Sequence, residues 1–322
     1  RTQANIQARE NAELRAQLAE MDASVAGMTG DRNAEYIPPG IDADLALATA
    51  LVESNKPVLR LCTGEADGTY TKIGNLYKRS VTSAEVQLVA TSGSTQNLEY
   101  MNSGKCDAAF TQSDAYWTYY VQNGHKGDFN LTRIPLGFRE TAHLVCNART
   151  EADTIDELGP EHIVYLGNKG SGASVTWANL LTENSDLTKV RTVFASRSVM
   201  QNKIGTDQNA CLLYVGALDN DRIAQLDKMS ERVKMLDIAD SDYLDIVNPA
   251  QTAVYASQEL GGDHYASLHD SDYGWTWDID TITVGTEVAV SDRWNKESGG
   301  TVSNKVMKQI QGTRININSL NK

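Results

Sequence analysis

The sequence predicts an α/β fold built on parallel sheets, and three observations carry that expectation. Short apolar runs alternate with helix-period patterns from Val58 onward, and the alternation restarts near residue 156. Each run in the first cycle stops at a loop of small polar residues, "TGEADGT", "TSGS" and "TQSD". β-α-β alternation implies parallel strands joined by right-handed crossovers. In open sheets of this kind, ligands bind at the C-terminal edge of the strands.

Taken in order, "PVLRLCTG" is a short apolar strand, and "TYTKIGNLYKRSV" places Ile73, Leu76, Tyr77 and Val81 on one helical face. "EVQLVATSGS" is a second strand. "TQNLEYMNSGK" is a helix stopped near Gly104, where glycine relieves the left-handed strain of a C-terminal cap. "CDAAFTQSD" is the third strand. "RETAHLVCNA" is an extended stretch suited to crossing between lobes. The second cycle reads strand, glycine-rich loop and helix in "DELGPEHIVYLGNKGSGASVTWANLL", then "VRTVFAS", then a buried strand and helix in "DQNACLLYVGALDNDRIAQL". "TITVGTEVAVSDRW" is a late strand and "NKVMKQIQ" a short helix. The expected organisation is an N-terminal helix over 1–30 and a linker over 31–56. One lobe is expected from 57–146 with about 248–322, and a second from 147–247.

The first thirty residues differ from the body. Leu14, Leu18, Met21, Val25 and Met28 form a heptad seam in a charged setting, the pattern of a coiled coil. Residues 14–28 are therefore a candidate for self-association, and a helical tail packed on its own body is the alternative. "GDRNAEYIPPG" breaks the pattern and reads as a linker.

Composition narrows the partners. With a net charge of -13 the chain has no basic character for nucleic acid or an anionic membrane. The sequence has no run of 18 apolar residues, the length needed to span a bilayer as a helix. The chain opens on Arg1, a start compatible with a secretory signal or anchor upstream. Cys62 ends one expected strand and Cys106 begins another, which on parallel strands separates them by on the order of 13 Å. That exceeds disulfide reach, so all four cysteines read as small buried apolar residues.

Two loops carry the functional expectation. "TGEADGTY" offers backbone N–H groups, the hydroxyls of Thr63 and Thr69, and a helix start, an arrangement that attracts anions; taken alone, it reads first as a plain strand-helix turn. "GNKGSGASVT" repeats the idea but lacks the Gly-Lys-Ser/Thr end of a Walker motif and the acidic ribose partner of a dinucleotide fold. A small carboxylate held by Ser171, Gly172, Ala173 and Ser174 fits better than a nucleotide. No nucleophile elbow is present, and no metal-binding helix motif, so neither enzyme activity nor a cofactor is expected. His264 and His269, near Asp263, Asp270 and Asp272, read as a solvated acidic loop. Tyr116, Trp117, Tyr119 and Tyr120 read as helix packing, and Trp275 and Trp277, on one face if extended, as ordinary packing.

The order of "TGEADGTY", "VATSGSTQNL", "CDAAFTQSD" and "LGNKGSGASVT" resembles the TAXI-type solute receptors of tripartite ATP-independent periplasmic (TRAP) transporters. The resemblance implies a type II periplasmic-binding-protein fold, with two α/β lobes around a cleft that closes on a small organic anion. A dicarboxylate, a 2-oxo acid or an acidic amino acid is the implied ligand, and membrane transporter subunits are the implied partners. It also implies a periplasmic or extracytoplasmic location, with a tether upstream of Arg1 compatible with it. Carried over residue by residue, it assigns ligand contacts to Thr63, Gly64, Thr69 and Tyr70, to Ser92 and Ser94, and to Gln112, Ser113 and Asp114. In the other lobe it assigns them to Gly170, Ser171, Gly172 and Ser174. One departure stands out: Glu65, Ala66 and Asp67 occupy a loop that is richer in glycine in that family. Two carboxylates beside an anion repel it. Either they point outward, or the ligand is neutral or absent. The last case defines a second reading, an assembly subunit that keeps the fold without the ligand.

Overall fold

The computed structural model describes residues 56–123, 131–229, 232–238, 241–269, 271–272 and 275–316. The expected N-terminal helix and linker lie outside the described residues. The first cycle gives β1 (Val58–Cys62), α1 (Thr69–Ser80), β2 (Glu85–Val89), α2 (Ser94–Asn102), β3 (Ala108–Gln112) and α3 (Ser113–Asn123). β1 pairs in parallel with β2 on one side and β3 on the other. Ile73 and Tyr77 of α1 are buried against this sheet, and α2 ends ahead of Gly104, whose φ is +77°.

β4 (Leu131–Asn147) follows, then β5 (Ile163–Leu166), α4 (Gly172–Glu183), β6 (Arg191–Phe194), α5 (Arg197–Thr206), β7 (Ala210–Gly216), α6 (Asp221–Asp227) and β8 (Val233–Leu236). A short α7 (Ser241–Leu244), β9 (Tyr255–Leu260), the small β10 (Ser271–Asp272) and β11 (Trp275–Thr276) lead to β12 (Ile279–Ser291). α8 (Asp292–Glu297) and α9 (Gly300–Gly312) end the described chain.

The strand order is β2-β1-β3-β12-β4-β7-β5-β6, with β8 on β4 and β9 on β12. β5, β6 and β7 are parallel, as β1, β2 and β3 are. Two long strands serve both groups. β12 lies antiparallel to β3 over Thr286–Val290 and to β9 over Ile279–Val284. β4 lies along β12 from Leu131 and along β7 from Thr141. Their mutual register shifts between Gly285 and Glu287, opposite Arg139 and Pro135, and the intervening Gly137 has a φ of +79°. A bulge of this kind bends and twists a strand pair locally.

The side chains divide the same way. Leu61, Tyr77, Phe110, Ile134, Val288 and Trp294 share one core. Leu144, Trp177, Leu213, Tyr255 and Ile282 share another. Each sheet is covered on both faces, which accounts for continuous apolar runs such as "CLLYV" in place of an alternating pattern. The result is two α/β lobes joined by two shared strands, the type II periplasmic-binding-protein arrangement.

The cysteines depart from expectation. Cys62 bonds Cys106 and Cys146 bonds Cys211, and the described residues hold no free thiol. Cys106 is not in a strand: β3 begins at Ala108, and the N–H groups of Lys105 and Cys106 both turn back to the Tyr100 carbonyl. That turn brings the Cys106 and Cys62 Cα atoms to 5.9 Å. The estimate of about 13 Å failed because it extended the strand through the turn. Cys146 and Cys211 are direct register partners on β4 and β7. Each lobe therefore carries its own crosslink.

Candidate functional site

The C-terminal ends of the strands of both lobes face one cavity of about 140 Å³. Of the residues expected to contact ligand, Thr63, Gly64, Thr69, Tyr70, Ser92, Ser94, Gln112, Ser171, Gly172 and Ala173 are on its wall. Ser113, Asp114, Gly170 and Ser174 are not. Ser174 folds back on its own loop, accepting from the Gly170 N–H and donating to the Ser171 carbonyl. Gly170 faces the other lobe, where its carbonyl accepts from the Thr95 N–H at 3.0 Å. Asp114 is buried behind the cavity and accepts from the Thr176 and Tyr255 hydroxyls; burial raises its carboxyl above the usual range.

Three helices start at the cavity without a side-chain cap. The N-caps are Gly68 for α1, Gly93 for α2 and Ser196 for α5, and all three residues line the wall. α4 differs, since the Ser171 hydroxyl accepts from the Ser174 N–H. First-turn N–H groups carry partial positive charge; at α2 the Thr95 N–H is already taken by the Gly170 carbonyl, and at α1 the Thr71 N–H by the Gly68 carbonyl.

The lobes are in close contact around the cavity. Gly93, with φ +132°, lies where a Cβ would come within 2.9 Å of the Ser171 Cα. A Cβ on Gly172 would collide with the Gln112 side-chain amide, and one on Gly170 would meet the Thr95 Cβ at 3.0 Å. Glycine at these places allows the two backbones to meet.

The acidic loop finds its partners across the cleft. Arg222, at the start of α6, pairs with Glu65 and with Asp67, and Arg197 of α5 pairs with Asp67 at 2.9 Å. The Asn168 amide donates to Glu65, and Lys72 pairs with Asp221 at 3.2 Å. Burial alone would push the Asp67 carboxyl up, but Arg222 and Arg197 outweigh it and hold it below its usual range. The carboxylates that looked unsuited to an anion site are thus matched by guanidiniums from the opposite lobe.

Sequence reasoning missed a buried carboxyl on the cavity wall. Glu140 of β4 is 4% exposed and lines the cavity. Its Oε2 accepts from Gln112 Nε2 at 2.6 Å and from the Tyr70 hydroxyl at 3.2 Å. Burial pushes its carboxyl up to about 7, against those two hydrogen bonds. Tyr214, also on the wall, is pushed up to about 12 by burial, and Arg222 lies over its ring at 5.3 Å. One signal was available for Glu140, an acidic residue next to Arg139 at the start of the apolar run "RETAHLV", a position that rarely tolerates a charge without a role. Arg197 and Arg222 gave no signal.

Other expectations resolve away from the cavity. His269 is engaged on both ring nitrogens by the carbonyls of Trp277 and His264, and His264 faces Asp219. No group of three metal-ligating side chains occurs among the described residues. Tyr116 and Tyr119 pack with Leu98, and the Arg133 guanidinium covers the Tyr116 and Trp117 rings. Trp277, expected to pack, is 64% exposed.

The profile of the NMT1-like family matches residues 61–297. The chain belongs to the NMT1-like family. Solved structures similar to this NMT1-like protein include the alkanesulfonate-binding protein SsuA from Xanthomonas axonopodis pv. citri bound to MOPS. It is 14% identical with a TM-score of 0.46, over 79% of this chain and 72% of that one. The periplasmic aliphatic sulphonate binding protein SsuA from Escherichia coli is 12% identical with a TM-score of 0.45, over 80% and 73%. The effector binding domain of QuiR in complex with shikimate is 11% identical with a TM-score of 0.46, over 80% and 96%.

Proposed function

We propose that this NMT1-like protein is an extracytoplasmic solute receptor of TAXI type, which captures a small organic acid by lobe closure and delivers it to a TRAP-type transporter. The observation that carries this reading is the convergence of three uncapped helix N-termini, α1, α2 and α5, on one cavity between two lobes. Each helix start favours an anion by about 0.3–1 kcal/mol. Thr69, Ser92 and Ser94 add hydroxyls on the same wall. We place the hinge at the β4–β12 bulge, so that the lobes part near Gly137 and Thr286. Two disulfides in one chain support an oxidising compartment.

Closure then has a physical cause. A ligand that contacts both lobes binds the closed form better and shifts the population toward it. A thermal-shift screen against dicarboxylates, 2-oxo acids and amino acids tests the reading. Ligand at a hundred times its Kd adds about 2.7 kcal/mol, a shift of roughly a few degrees for a chain of this size. Absence of any shift, with no small molecule released on denaturing the purified protein, contradicts it. The assembly-subunit reading rested on the acidic loop and, more weakly, on the heptad seam; the pairing of Glu65 and Asp67 with Arg222 and Arg197 removes the first support, and the seam lies outside the described residues.

A further inference from the structure

The cavity wall is chemically mixed: beside the helix starts that suit an acid it carries a buried carboxyl. This inference rests on the receptor reading above and narrows its ligand. Glu140 and Gln112 stand together on that wall. Glu140 uses Oε2 for Gln112 and Tyr70, while its Oε1 has no hydrogen-bond partner among the described residues. The Gln112 side chain is 1% exposed, and its Oε1 is buried without a partner.

Neither acceptor is satisfied by a simple rearrangement. With Glu140 ionised, as above pH 7, turning the Gln112 amide would set its oxygen against the carboxylate and leave a buried amide nitrogen unpaired instead. No described cation hydrogen-bonds to Glu140, and Arg222 directs Nη2 at Glu65 and Asp67. A buried acceptor left unpaired is costly. A plain dicarboxylate would aggravate the cost by placing a second carboxylate against Glu140.

We infer that Glu140, held in place by the Gln112 amide, is the acceptor for a hydrogen-bond donor on the ligand, with an ammonium group preferred. The ligand's acid group then lies toward the helix starts of α1, α2 and α5. The receptor therefore ranks compounds of one carbon skeleton in the order amino acid, hydroxy acid, 2-oxo acid. Glu140 and Gln112 are specificity-determining residues in this account, while the helix N-termini supply affinity for any small acid.

The test uses the full chain and titration calorimetry at pH 8 with two matched sets: glutamate, 2-hydroxyglutarate and 2-oxoglutarate, and alanine, lactate and pyruvate. Within the set that binds, the amino member should be at least tenfold tighter than the oxo member. Glu140→Gln, which replaces an ionised acceptor with a neutral amide, should remove most of that preference by weakening the amino member. The wild-type ranking stands whether or not that variant folds. An oxo acid that binds as tightly as its amino counterpart overturns the inference and leaves the receptor reading intact. A co-purified molecule released on denaturation decides the matter in the same way, by whether it carries a donor. No binding by any member and no released molecule overturn both.

Discussion

The mouth and the floor of the cleft both carry carboxylates, and they are treated in opposite ways. At the mouth, Asp67 is 61% exposed and Glu65 40%, and both are paired with arginines of the opposite lobe. At the floor, Glu140 is 4% exposed and has no cation beside it. Exposed pairs contribute about 0–1 kcal/mol each and are screened by salt. A buried carboxyl without a cation is held by hydrogen bonds and answers to whatever enters the cavity. The comparison assigns the mouth to closing the lobes and the floor to choosing what they close on.

The largest expected effect breaks closure itself. Gly172→Val places a side chain into the Gln112 amide at the tightest interlobe contact. Ligand affinity should fall by roughly 100-fold or more, about 2.7 kcal/mol. The melting temperature of the free protein should change little, since the lobes fold around separate cores. Titration calorimetry with any binding acid reads the first, and circular dichroism the second.

The floor gives the next effect, as a pH dependence. The Glu140 carboxyl rises from 4.5 to about 7 on folding, so between those values the folded chain holds a proton that the unfolded chain releases. Stability from this group is fully present below pH 4.5 and is lost as pH rises through 7. The loss amounts to on the order of 3 kcal/mol. Chemical denaturation at several pH values should show wild type weakening from pH 5 to pH 8 relative to Glu140→Gln. Parallel profiles for the two proteins would mean that Glu140 is not held protonated by the floor.

The mouth gives the smallest effect. Arg222→Gln removes both the Glu65 and the Asp67 pair. Two partly exposed pairs at about 0.2–1 kcal/mol each predict a roughly 2- to 30-fold loss of affinity. The discriminating sign is salt: raising ionic strength should weaken wild type more than the variant, which keeps the Arg197–Asp67 and Lys72–Asp221 pairs.

Much of the fold was legible because it is written in local periodicity. The parallel cycles, the helix face of Ile73 and Tyr77, and the stop near Gly104 all follow from patterns a few residues long. Most of the loop residues assigned by resemblance also lie on the cavity wall, because the C-terminal edge of a parallel sheet places them there. What was missed is long-range. Asp67 is separated by 130 residues from Arg197 and by 155 from Arg222, and no local pattern links them. The disulfide at Cys106 depends on a turn that a strand reading straightens out. Glu140 stood in plain view as a charge in an apolar strand, but its partners Tyr70 and Gln112 come from the first sequence cycle, outside that crossing strand.

The most direct test of the account is the thermal-shift screen run on wild type and Gly172→Val side by side. The account predicts a shift of a few degrees with at least one small acid in wild type, and none with the same acid in the variant. No shift in wild type, or an equal shift in both, would contradict a receptor that works by closing its lobes on a solute.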